Sequence, residues 1–123
     1  MAIAHAVEVR DESFCVPRLY ELLRRHGVAL VVADTGGRFP HVDERTAPFV
    51  YVRLHGPREL YASQYRSDEI EAWAIRVSDW AAQGRDVYVY FDNDVKAYAP
   101  DDALALRTRV AALLGADGKH RAA

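Results

Sequence analysis

Residues 50–56 read VYVRLHG. Successive side chains of a strand point to opposite faces. Val50, Val52 and Leu54 therefore share one face, and Tyr51, Arg53 and His55 share the other. The first face is apolar, as packing beneath helices requires. The second does not suit a flat sheet covered by helices on both sides, because buried charge is costly unless it is paired. It does suit the inside of a parallel barrel, where side chains fill the interior and the C-terminal strand ends open into a polar mouth.

The same division recurs in two further segments. Val7 and Val9 alternate with Ala6, Glu8 and Arg10; Val87, Val89 and Phe91 alternate with Tyr88, Tyr90 and Asp92. Three strands thus carry small or aromatic residues early and charged residues late on one shared face. Glu8 with Arg10 or Arg53, and Asp92 with Arg53 or His55, are the candidate pairings, and spacing alone does not choose among them.

The remaining elements follow in order. Ala4 to Val9 reads as a strand. Pro17 to His26 reads as a helix, with Pro17 in its first turn and Gly27 as its stop. Val28 to Ala33 is a continuous apolar run, as expected for a strand buried on both faces. Thr35 to Pro48 holds Gly36, Gly37, Pro40 and Pro48 and has no helical period, so it is a long loop; such loops are often functional. Phe49 to His55 is the next strand. Asp68 to Gln83 repeats apolar residues at Ile70, Trp73, Ala74, Val77, Trp80 and Ala81, a core-facing helical stripe, with Ser67 or Asp68 as its cap and Gly84 as its end. Asp86 to Phe91 is the last strand. Asp101 caps a final helix that turns Leu106, Val110, Leu113 and Leu114 inward and stops at Gly115. Residues 1–115 form the domain and 116–123 a disordered tail. The order β-α-β-loop-β-α-β-α points to an α/β fold with a parallel sheet.

Composition narrows the function classes. The 123 residues are 50% hydrophobic and 28% charged, with net charge −2, which fits a globular domain and makes nucleic acid an unlikely partner. The longest apolar run is far too short to span a membrane, and the N-terminus has no signal-peptide pattern. Cys15 is the one cysteine, which suits a reducing, cytoplasmic setting and reads as a small apolar residue, with no nucleophile motif around it. Gly36-Gly37 lacks the spacing of a nucleotide-binding loop.

Together, FVYVRLHGPRELY, the following helix with its two tryptophans and GRDVYVYFDNDVKAYAPDDAL resemble the YecE-like family of TIM barrels, domain of unknown function 72. HAVEVRDESF and GVALVVADTGGRFP look like that family's preceding strands. The resemblance runs from about Ala4 to Leu114 and implies a parallel-stranded half of a TIM (β/α)8 barrel, with about four strands and three helices. The family's barrels are complete, so the match implies the C-terminal half only, from a truncated or split gene or a short homologue. A long helix-poor stretch before the RLHG strand is likewise a family trait. The resemblance implies a fold and names no reaction.

The candidate site lies at the barrel mouth. Arg53 offers a planar fork for phosphate or carboxylate, with Arg10 and Asn93 as further substrate-binding groups. His55 is a candidate acid or base, with Glu8 and Asp92 as catalytic carboxylates. Asp92, Asn93 and Asp94 are rich in oxygen, but no metal-binding spacing is present, so no metal is assigned; a cofactor is not specified. The competing reading is a structural ion-pair network. Asp34 reads as a turn former. Tyr61 and Tyr65 read as packing groups that could also stack on a ring. An open half-barrel should associate, as a homodimer or with a separately encoded N-terminal half, and a small-molecule ligand would occupy the mouth.

Overall fold

The computed structural model describes residues 3–58, 60 and 63–121, with side chains as far as Gly115. Its first helix, α1 (Pro17–His26), has the bounds expected from sequence. Gly27 closes it with φ 64°, and Arg24 and Arg25 place positive charge at its C-terminal end, where the helix dipole favours it. Leu23 is buried with Val9 and Leu30, and Leu19 and Tyr20 pack beside them.

The strands are all parallel. β1 (Ala6–Val7) is shorter than the expected Ala4–Val9, and the expected strand Val28–Ala33 divides into β2 (Ala29–Leu30) and β3 (Val32–Asp34). The division has a geometric cause. The segment pairs first with β1, Ala6 opposite Ala29 and Val7 opposite Leu30. It then pairs with β4 (Phe49–Leu54), Val32 opposite Val52 and Asp34 opposite Leu54. Neighbouring strands of a barrel are staggered in this way. Two further bonds continue the first ladder: Ala29 N–H donates to His5 O (2.9 Å) and Val31 N–H to Val7 O (2.8 Å). β5 (Asp86–Phe91) lies against β4 in the register Arg53 opposite Tyr90 and Leu54 opposite Phe91. The order across the fold is therefore β1, β2/β3, β4, β5, as in consecutive strands of a TIM barrel.

α2 (Ser67–Ala82) and α3 (Ala99–Arg121) cover one face of β4 and β5. Ile70, Trp73, Ala74, Val77 and Trp80 are buried against Val50, Val52, Leu54 and Leu106, with Val87, Val89 and Phe91 beside them. The expected caps are corrected. The start of α2 is closed by Glu69, which reaches back to accept the Arg66 N–H at 2.8 Å, while Ser67 and Asp68 sit inside the first turn. α3 begins at Ala99, before Asp101, with Pro100 in its first turn. It also runs past Gly115 to Arg121. Gly115 is not among the glycines with positive φ, and a glycine stops a helix only by adopting that left-handed turn.

Residues 35–48 hold no helix or strand. They cover the fold as a helix would. The Thr46 hydroxyl accepts the Leu30 N–H (2.8 Å) and donates to Val28 O (2.7 Å). Arg76 pairs with Asp43 at 2.8 Å, the Arg76 guanidinium lies 4.4 Å from the Trp73 ring centre, and that of Arg45 lies 5.0 Å from the Trp80 ring centre. The Arg76–Asp43 ion pair and the Arg45–Trp80 cation–π contact tie the loop to α2.

Candidate functional site

The strand registers bring the charged residues together. Leu54 stands opposite Phe91, and Asp92 N–H donates to Leu54 O (3.1 Å). His55 and Asp92, each the residue just beyond its strand, are thereby neighbours at the C-terminal ends of β4 and β5. Glu8 follows β1 directly and reaches the same place. Arg53 bridges the two carboxylates: Nη1 lies 3.2 Å from Glu8 Oε1 and Nη2 lies 2.6 Å from Asp92 Oδ2. His55 has no exposed surface. Its Nε2 lies 3.3 Å from Glu8 Oε1 and its Nδ1 lies 2.6 Å from Asp92 Oδ1. Arg10 completes the cluster, with Nε at 2.9 Å and Nη2 at 2.8 Å from Glu8 Oε2. The candidate pairings thus all occur at once. Glu8 meets the side chains of Arg10, Arg53 and His55, and Asp92 those of Arg53 and His55.

Access differs within the cluster. The side chains of Arg10, Arg53 and Asp92 are 41%, 34% and 27% exposed, and Glu8 is 11% exposed, so solvent meets the arginines and carboxylates while His55 lies behind them. Below is an open hollow of about 280 Å³ lined by Ala6, Glu8, Val31, Tyr51 and Arg53. Among the described residues no group of His, Cys, Asp and Glu is arranged to hold a metal ion; the Arg53 guanidinium occupies the space between the two carboxylates.

Asn93 is fully buried with different partners. Its Nδ2 donates to Ser63 O (2.8 Å) and to Asp102 Oδ2 (2.7 Å). Asp102, in turn, accepts the Tyr65 N–H (3.1 Å). These bonds tie the end of β5 to the start of α3 and to the segment before α2. Asp102 was not singled out from sequence, where only its place at a helix start could have drawn notice. The Asp34 carboxylate accepts the Gly36 N–H (3.3 Å), as a turn former does. It also accepts the Tyr65 hydroxyl (3.0 Å), which accepts the Gly56 N–H (3.2 Å). Burial, and then the Asp34 carboxylate, hold the Tyr65 phenol far above its ordinary range. Tyr65 is buried edge-on against Phe91, the packing role expected of it. Tyr61 lies outside the described residues. The turn at Gly36 (φ 65°) presses on Arg58: a Cβ there would meet the Arg58 carbonyl carbon and oxygen at 3.1 Å, so only glycine fits.

Parallel strands backed by helices, with charged side chains gathered at their C-terminal ends, define part of a TIM-barrel-like fold. The chain belongs to the family described as protein of unknown function DUF72, whose model matches residues 1–121. It is similar to the crystal structure of a DUF72 family protein from Thermotoga maritima MSB8, with 30% identity and a TM-score of 0.77 over 86% of this chain and 45% of that one. A DUF72 family protein from Enterococcus faecalis V583 shares the fold at 21% identity, with a TM-score of 0.79 over 88% of this chain and 47% of that one. The chain spans about half the length of these solved structures. Comparison with curated proteins finds no match. No helix among the described residues is long and apolar enough to cross a membrane.

Proposed function

We propose that the Glu8–Arg53–His55–Asp92 cluster is one wall of an enzyme-like, small-molecule site at a barrel mouth. The observation that carries this reading is the convergence of charged groups from three strands at their C-terminal ends, where TIM-barrel enzymes keep their chemistry. Arg53 and Arg10 would hold an anionic group, phosphate or carboxylate. Glu8 and Asp92 would accept protons from a substrate hydroxyl, with His55 as the acid or base behind them. Asn93 fixes the chain that presents Asp92. The residue types suit hydrolysis or isomerisation of a phosphorylated or sugar-like ligand, in the cytoplasm that the single cysteine favours. The facing wall would come from a second copy or from a separately encoded N-terminal half.

A second reading has its own support. His55 is sealed from solvent and the cluster is internally paired, as a purely structural network would be. Arg53→Ala and His55→Ala decide between the two when thermal unfolding is followed with and without inorganic phosphate and sugar phosphates. The site reading expects a ligand that raises the melting temperature of the native chain and loses its effect on Arg53→Ala. Lower melting temperatures for both variants, with no stabilising ligand for the native chain, would leave the structural network standing.

A further inference from the structure

Leaving His55 aside, the charges of the mouth cluster balance. The guanidinium groups of Arg10 and Arg53 face the carboxylates of Glu8 and Asp92. Both Nη atoms of Arg53 already reach a carboxylate oxygen, at 3.2 Å and 2.6 Å, and Arg10 is held on Glu8 Oε2. These four groups therefore offer an arriving anion no surplus positive charge. A third guanidinium supplies it. Arg10 also lies over the Phe39 ring, 4.7 Å from its centre, and Arg38 lies 6.0 Å from the centre of that same ring. Arg38 is exposed, and no carboxylate among the described residues pairs with it.

The turn that carries Arg38 and Phe39 is held in place by its own bonds. The buried Thr35 hydroxyl accepts the Phe39 N–H (2.9 Å) and donates to Phe39 O (3.2 Å). Arg38 N–H donates to Thr35 O (3.3 Å), and Gly36 is pressed against the Arg58 carbonyl. Two like charges are thus set beside one ring, and their repulsion favours a bound anion. We propose that Arg38, on the Phe39 turn, is the main anion-binding residue of the mouth, for the phosphate of a phosphate monoester, a proposal that rests on the site reading above. A monoester carries about two negative charges near neutral pH and three acceptor oxygens, enough to engage Arg38 and Arg10 together. A carboxylate carries one charge. A guanidinium on a ring face keeps the donors at its rim available to phosphate oxygens. The rest of the ligand then extends to the hollow beside Glu8 and Arg53. Arg53, saturated by its two carboxylates, is a positioning residue that holds the cluster together.

The test is calorimetric titration of the 123-residue chain with inorganic phosphate, glucose 6-phosphate and, as the uncharged counterpart, glucose. The two phosphates should bind and glucose should not. Arg38→Gln should weaken both phosphates by at least about tenfold, the effect of losing hydrogen bonds to a charged group. Its far-ultraviolet circular dichroism should stay native, and Arg38→Lys should recover part of the loss. Arg18→Gln, at an exposed position on α1, should bind as the native chain does. Equal weakening by Arg18→Gln would mean general charge attraction and would overturn the proposal. Binding that survives Arg38→Gln and is lost in Arg53→Ala would also overturn it, while leaving the mouth site in place. So would a native chain that binds neither phosphate; the melting temperatures of Arg53→Ala and His55→Ala then decide the site reading separately.

Discussion

At the scale of single residues, the candidate site follows from where each side chain sits on its strand. Arg53 precedes the last residue of β4 and Asp92 follows β5, so the register alone brings their groups within 2.6 Å. That much was legible, because alternation assigns faces and the ends of parallel strands lie together. The Asn93–Asp102–Tyr65 bonds were not legible. They join residues whose proximity depends on how α3 docks, and no local pattern encodes that. Tyr65 yields the clearest expectation at this scale. Its phenol is held protonated in the folded chain, whereas an unfolded tyrosine ionises near pH 10. The folded value being raised, its stabilising contribution is complete below about pH 10 and falls away as the pH rises above that. Tyr65→Phe removes the hydrogen bond to Asp34 and should cost about 1–3 kcal/mol near neutral pH. Denaturant titrations of both forms should show the gap narrowing above about pH 10; a constant gap would mean the phenol does not titrate differently on folding.

At the scale of elements, the regular pieces were readable and the exceptions have physical causes. α1 came out at its expected bounds because Pro17 and Gly27 act locally. The stripe on α2 packs as its spacing predicts. The break at Val31 could not be read, since it reflects two neighbouring strands at different heights. Nor could the work of residues 35–48 be read: the Thr46 hydroxyl serves two backbone groups that a regular ladder would otherwise satisfy. Ala74 sets how closely α2 approaches the sheet, for it is completely buried among the core residues. Ala74→Leu adds volume where none is free and should destabilise by roughly 1–3 kcal/mol. Ala72→Leu, on the exposed side of the same helix, should be near neutral. Equal losses at both positions would show that the helix does not pack on the sheet through Ala74.

At the scale of the whole molecule, the chain is about half of what its solved relatives contain, and its surface shows it. A chain of this size can still bury a core. That core lies on the convex side of β4 and β5, and the concave side keeps Tyr88 and Tyr90 partly in water. Where a second copy supplies the facing wall proposed above, the melting temperature should rise with protein concentration, whereas an independently stable half gives a constant value. Calorimetry over a range of concentrations separates the two.

The placement of the aromatic residues has an optical consequence. Both tryptophans, Trp73 and Trp80, lie on α2 beneath the guanidinium groups of Arg45 and Arg76. Tyr51, Tyr88 and Tyr90 lie on the other side of the sheet. Indole emission therefore reports whether residues 35–48 stay clasped to α2 and says little about the concave side. Solvent-perturbed phenol absorbance weights the exposed tyrosines among the seven, Tyr88 and Tyr90 on that other side included. The chain carries two intrinsic dyes on opposite walls, and comparing them as conditions change would reveal which wall loosens first.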